Sequence, residues 1–258
     1  MDGQITGTQG MKWLARRETL RVSKLWTQTV LAPVVSSLLF ILVFGLSLGD
    51  RVRNVGTVEY DQFIVPGLIA MAMVQAAFGN NASTIFQARS DRYINDILSS
   101  PMHPWQMTIG FLLGGVFRGL LIGGSLLAAA FVLTGVPLEN PAALALTTAL
   151  CLVLFAAFGT VVGIYAQTWD GTTFIANIVI LPLAFVGGTF YSVALLPSPW
   201  EELSHFNPIF YMVQSMRFGL LGESDVSIWL SLGVTAALAV PAYMWAQWLF
   251  TSGRKLKA

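Results

Sequence analysis

The chain has 258 residues, of which 55% are hydrophobic and only 10% charged. A soluble domain is roughly a quarter charged, so composition excludes a water-facing globule and points to lipid as the solvent. Fourteen Lys and Arg against thirteen Asp and Glu leave a net charge of +1, which excludes the basic stripe of a nucleic-acid binder. The one cysteine, Cys151, lies in an apolar run and excludes a disulfide framework or a thiolate metal site.

Residues 1–24 are polar and basic and carry no cleavable leader, so the first apolar run is expected to stay in the chain as an anchor. Within them, residues 9–24 read QGMKWLARRETLRVSK, with Met11, Trp13, Leu14, Leu20 and Val22 interleaved with Arg16, Arg17 and Arg21. This pattern predicts an amphipathic helix lying in the headgroup plane, its apolar residues in lipid and its basic ones reaching toward anionic headgroups.

A bilayer core of about 30 Å needs about 20 helical residues, and six stretches qualify in chain order. Residues 25–49 are uncharged, with Pro33 near the start, where a kink is tolerated if neighbours satisfy the freed carbonyl. Residues 62–87 follow a loop holding Asp50, Arg51, Arg53, Glu59 and Asp61, and charge returns at Arg89, Asp91, Arg92 and Asp96. The third span, about 107–133, ends in a Gly135, Pro137, Asn140, Pro141 turn cluster. The fourth lies within 142–167, the fifth within 172–191 around Pro182, and the sixth within 226–250 around Pro241. Between the last two, residues 192–225 are apolar but broken by Pro197, Pro199 and Pro208. Two short helices meeting at residues 205–208 are expected there, dipping into the membrane from outside and returning, with Trp200, Asn207, Pro208 and Arg217 in the segment. The whole chain, 1–258, thus reads as one all-α integral membrane domain.

Orientation follows from the retention of Lys and Arg in the cytoplasm. With six spans, one side holds Lys12, Arg16, Arg17, Arg21, Lys24, Arg89, Arg92, Arg118, Arg254, Lys255 and Lys257, and the other Arg51, Arg53 and Arg217. Both termini are therefore expected in the cytoplasm of a cell whose inner (plasma) membrane holds the chain.

Arg118 interrupts an apolar run, and a central Arg costs at least about 2.5 kcal/mol. If the span starts near Met107, Arg118 lies roughly 16 Å in, at mid-membrane. If residues 99–112 instead continue a cytoplasmic helix, it reaches the inner interface. The prolines of PMHPW favour the second reading. Gly110, Gly114, Gly115, Gly119, Gly123 and Gly124, and Gly159 with Gly163, form small-xxx-small patterns that permit close helix packing.

Enzyme chemistry finds no support: His103 and His205 fall on opposite sides, and HExxH and GxSxG are absent. No acidic residue falls inside a predicted span, so ion coupling lacks its usual ligands. No G-x-x-x-x-G-K-[ST] occurs, so a nucleotide must be bound by a partner.

YDQFIVPGLIAM at 60–71, RYINDILSSPMHPWQ at 92–106 and GGTFYSVALLPSPWEELSHFNPIFYMVQSMRFGLLG at 187–222 resemble the ABC-2 family of exporter permeases, whose members include drug-resistance, nodulation and polysaccharide-export subunits. The resemblance implies a six-span subunit, paired with a second copy and served by two cytoplasmic ATPase subunits that carry ATP and Mg, with no cofactor on this chain. It implies a coupling segment at 87–106, with Arg89, Asp91, Arg92, Tyr93, Asp96 and Leu98 as the contact residues, and an amphipathic, lipidic, drug-like or glycan substrate. Phe78, Phe86, Phe185, Phe190 and Tyr191 either line a path for it or pack. A membrane scaffold or receptor for a cytoplasmic partner, and a lipid-active enzyme, are the readings from other classes.

Overall fold

The computed structural model describes residues 6–49, 54–55 and 58–256; the loop charges Asp50, Arg51 and Arg53 and the C-terminal Lys257 lie outside the described residues. Helix α1 (Gly7–Lys24) opens on a capping box, in which Gln9 N–H donates to the Thr6 hydroxyl and Thr6 N–H donates to Gln9 Oε1. A π-type turn at Thr27–Leu31 leads into α2 (Ala32–Gly49). A two-residue antiparallel pair, β1 (Asn54–Val55) with β2 (Val58–Glu59), precedes α3 (Tyr60–Ser90). After the short α4 (Ile94–Leu98) come α5 (Pro104–Thr134) and α6 (Pro141–Tyr165). The fifth span is α7 (Trp169–Ile175), a second π-type turn at Ala176–Ile180 and α8 (Leu181–Val186), which stops at the Gly187–Gly188 pair with Gly188 at φ +81°. Helices α9 (Trp200–Ser204), α10 (Pro208–Leu221) and α11 (Ile228–Ser252) complete the chain. Six of these segments are long and apolar enough to cross a membrane.

Each π-type turn lies just before a proline, Pro33 or Pro182, which has no N–H for the carbonyl four residues back. For Pro33 that carbonyl is Thr29, and Arg118 Nε donates to it at 3.2 Å. The charge inside the apolar run thus caps a proline break in a neighbouring helix. The start of α5 corrects the reading of PMHPW as a poor helix start. Pro104 occupies the first helical position, where its missing N–H costs nothing, and Gln106 Oε1 accepts from His103 N–H at 2.8 Å. One continuous helix then runs through Arg118.

Helix α3 is the hub, buried along most of its length and packed against α2, α5, α6 and α10, while α2, α7–α8 and α11 leave large apolar faces outward. At 31 residues each, α3 and α5 are about 46 Å long, against about 30 Å of hydrocarbon. Each is therefore about 16 Å longer than the hydrocarbon is thick, and the C-terminus of α3 meets the N-terminus of α5 at one end of the bundle. That end also collects α1, α4 and the last turns of α11, where Phe250 stacks on Phe111 at 5.8 Å. At the opposite end Asn140 N–H donates to the Gly219 carbonyl at 2.9 Å, tying the α5–α6 loop to α10.

Candidate functional site

The turn from α3 into α4 sits at the end of the bundle where α3 stops and α5 starts. Arg92 takes a left-handed conformation, φ +62°, which reverses the chain at a cost of roughly 1–2 kcal/mol for a non-glycine residue. Ile94 is fully buried and anchors α4, so that Asp91, Arg92, Asn95 and Asp96 face outward. Tyr93 and Leu98 are half-buried. The Arg17 guanidinium lies 4.4 Å from the Tyr93 ring centroid, clamping α4 to α1. Burial pushes the Tyr93 hydroxyl up, against a smaller pull downward from Arg17. Arg89, expected as a contact residue, is half-buried. Its Nη1 donates to the carbonyls of Gly163 at 3.2 Å and Ala166 at 2.9 Å, capping the C-terminus of α6, where cations are favoured.

Helix α1 also departs from a simple interfacial helix. Leu14, Glu18 and Val22, four residues apart, form one buried stripe against the protein rather than against lipid. Leu14 meets Gly110 and Glu18 meets Gly114, so α1 runs in step along the first half of α5. A Cβ at Gly114 would sit 2.8 Å from that of Glu18, which is why the helices approach only over glycine. Arg21 turns inward, whereas Trp13, at 63% exposure, and Arg16 lie on the outer face.

Glu18 is 0% exposed and accepts a 2.8 Å hydrogen bond from the Thr84 hydroxyl of α3. Arg21 lies 3.4 Å and Arg17 3.8 Å from its carboxylate. Arg21 Nη2 also donates to Asn80 Oδ1 at 3.0 Å; Asn80 Nδ2 donates to Asn81 Oδ1 at 3.3 Å, and Asn81 Nδ2 to the Thr160 hydroxyl at 3.0 Å. A polar chain thus crosses from α1 through α3 to α6 just inside the α4 end.

A second polar cluster closes the opposite end. Arg217 of α10 is 2% exposed, donates from Nη2 to the Gly188 carbonyl at 2.9 Å, lies 3.8 Å from Asp225 and covers the Phe63 ring at 3.9 Å. Asp225 also accepts from Ser192 and from Gln214 Nε2, at 3.0 and 2.8 Å. Asn207 accepts from Ile209 N–H and caps α10, Pro208 takes its first position, and Asn207 Nδ2 reaches the Leu183 carbonyl at 2.6 Å. The two helices expected to meet at residues 205–208 are present but unequal. Helix α10 is embedded in the bundle, while Trp200 on α9, Leu203 and Phe206 stay exposed and Pro197 lies in the loop before α9. The aromatic residues mostly pack: Phe78 on Phe158 at 5.6 Å, Phe86 on Trp169 at 5.8 Å and Phe185 on Phe190 at 5.5 Å. Among the described residues no cluster of His, Cys, Asp and Glu could hold a metal.

Residue types alone left Glu18, Asn80, Asn81 and Gln214 unremarked. The spacing of Leu14, Glu18 and Val22 was the available signal for the first, and the Asn80–Asn81 pair in an otherwise apolar span for the next two.

Comparison with known proteins gives a consistent likeness. A family model described as "ABC-2 type transporter" matches residues 9–221. The chain is 37% identical over 250 residues to "Inner membrane transport permease YadH" of Escherichia coli (strain K12), covering 96% of this chain and 97% of that protein. It is 26% identical over 243 residues to "Nodulation protein J" of Rhizobium leguminosarum bv. viciae, covering 91% and 92%. The corresponding protein of Rhizobium meliloti (strain 1021) is 25% identical over 239 residues, covering 90% and 89%.

Proposed function

The chain belongs to the ABC-2 type transporter family and is a membrane permease; from that premise we propose that it is the membrane subunit of an ATP-driven exporter, powered by a separate cytoplasmic ATPase pair seated on α4. The observation that carries this reading is the outward-facing set Asp91, Arg92, Asn95 and Asp96, held on a helix anchored by Ile94 and clamped by Arg17. Mixed charge around a small apolar anchor suits a polar-rimmed protein interface. The length of α3 and α5 in excess of the hydrocarbon supports a projection on this side, which such a partner would grip. Motion imposed on α4 would pass to α1 through Arg17 and Tyr93, and on to α3 and α6 through the Arg21–Asn80–Asn81–Thr160 chain.

The α4 end gathers the basic residues Lys12, Arg16, Arg17, Lys24, Arg92 and Arg254, which supports its assignment to the cytoplasm with both termini there. In that orientation the outer face of α1, with Trp13 and Leu20 between Arg16 and Lys24, meets the inner headgroup layer. The α10 end faces outward, and the embedded α10 is the returning arm of a re-entrant segment. The exposed apolar face of α2 is where a second copy would pack. The substrate is an amphipathic molecule moved outward. Expression with the neighbouring genes, followed by affinity capture of this chain, tests the reading. A P-loop ATPase is expected in the eluate, lost on Arg92→Glu or Asp96→Lys. Its absence with the natural chain would overturn the proposal.

A further inference from the structure

Between α2, α3 and α8 lies an open groove of about 550 Å³, within the range of small-molecule sites. Its two ends differ in chemistry. Arg118, Gln28 and Gln75 line the end nearer α4, and Phe40, Leu68 and Phe185 the end toward mid-membrane. Gln28 and Phe40 are about 18 Å apart along their helix at ~1.5 Å per residue, so the groove passes from polar to apolar along the bilayer normal.

Arg118 makes one hydrogen bond, from Nε to the Thr29 carbonyl, and its terminal nitrogens make none to the described residues. Among the described residues no carboxylate lies within ion-pair reach of it. The buried carboxylate of α1, Glu18, is held by Arg21 and Thr84. A cation without a counter-charge below the headgroup layer is expensive, and an anion supplied from the bilayer would lower that cost. Gln75, exposed on an otherwise buried helix, adds an amide that can donate to the same group.

The geometry points to a binding site for an anionic amphiphile drawn from the inner leaflet, its phosphate or carboxylate on Arg118 and its chain along Phe40, Leu68 and Phe185. This names the substrate class on the permease reading and rests on that reading for what happens to the occupant afterwards. The two-zone lining favours an amphiphile over a free anion, which would leave the apolar half empty.

The full chain is reconstituted in phosphatidylcholine nanodiscs with Ser37→Cys, in the groove, carrying bimane; Cys151 is fully buried and does not compete for the label. Doxyl-labelled phosphatidylglycerol is expected to quench at a mole fraction about fivefold lower than doxyl-labelled phosphatidylcholine, the scale of one basic residue's attraction for an anionic headgroup. Arg118→Gln should bring the two lipids to parity, while Arg118→Lys keeps the preference and shows that the fold is intact. Bimane on Ser125→Cys, exposed on α5 outside the groove, should show no preference. Equal quenching in the natural chain, an undiminished preference in Arg118→Gln, or displacement of phosphatidylglycerol by millimolar inorganic phosphate would each overturn the assignment. Quenching is read on the permease alone, so its failure is distinct from a failure to capture an ATPase.

Discussion

Removing one member of the Glu18–Arg21 pair tests whether α1 is a built part of the bundle. Glu18 is wholly buried, whereas the Arg21 side chain is 26% exposed and keeps Asn80 as a second partner. Breaking a buried pair costs about 3–5 kcal/mol, because it leaves a charge without compensation. Arg21→Gln leaves the buried anion with only Thr84 and the more distant, exposed Arg17, and should fall at the low end of that range, about 3 kcal/mol. Glu18→Gln leaves a cation that water reaches and an amide that still accepts from Thr84, so about 2 kcal/mol is expected. The double variant should recover about 1–2 kcal/mol relative to the sum of the singles. SDS-titrated unfolding in mixed micelles, followed by the fluorescence of the eight tryptophans, measures all three. Equal costs for the two singles, with strict additivity in the double, would refute the idea that α1 is fastened by a desolvated pair.

Other consequences follow from single contacts. A Cβ at Gly159 would clash with the Phe78 carbonyl oxygen, so Gly159→Ala should destabilise the α3–α6 contact by about 1–3 kcal/mol, while Gly124→Ala, with nothing within 4 Å, should be near neutral in the same unfolding assay. Arg89→Gln releases the last carbonyls of α6 and should cost about 1–2 kcal/mol, read as a lower melting temperature in detergent. Asp225→Ala leaves Arg217 without its carboxylate at 2% exposure and should cost about 3 kcal/mol in the same unfolding assay.

The spans were legible in the sequence because the bilayer sets a length and a charge rule that act residue by residue. Uncharged runs locate all six to within a few residues, and Gly135, Gly222 and Gly253 stop α5, α10 and α11 at positive φ. What the sequence hid depends on phase and on partners distant in the chain. Glu18 looks like one more charge in a basic segment until α1 is seen to bury every fourth residue against glycines nearly a hundred positions away. Arg89 reads as a surface charge until α6 is found to end beside it. The meaning of Arg118 depended on where α5 begins and on Pro33 in another helix, neither of which local composition reveals. The exposure of Asp91, Arg92 and Asp96 around α4 was legible, since charges between two long apolar runs stay outside the bundle.

The most direct test of the account is proximity at α4. Cysteine introduced at Asn95, outward-facing on α4, is tagged with a short photo-crosslinker in membranes of cells expressing the chain with its neighbouring genes; the natural Cys151 is buried and stays unlabelled. The account predicts a crosslink to a P-loop ATPase from Asn95→Cys and none from Leu203→Cys at the other end of the bundle. A crosslink from Leu203→Cys instead, or none to any ATPase from Asn95→Cys, would contradict it.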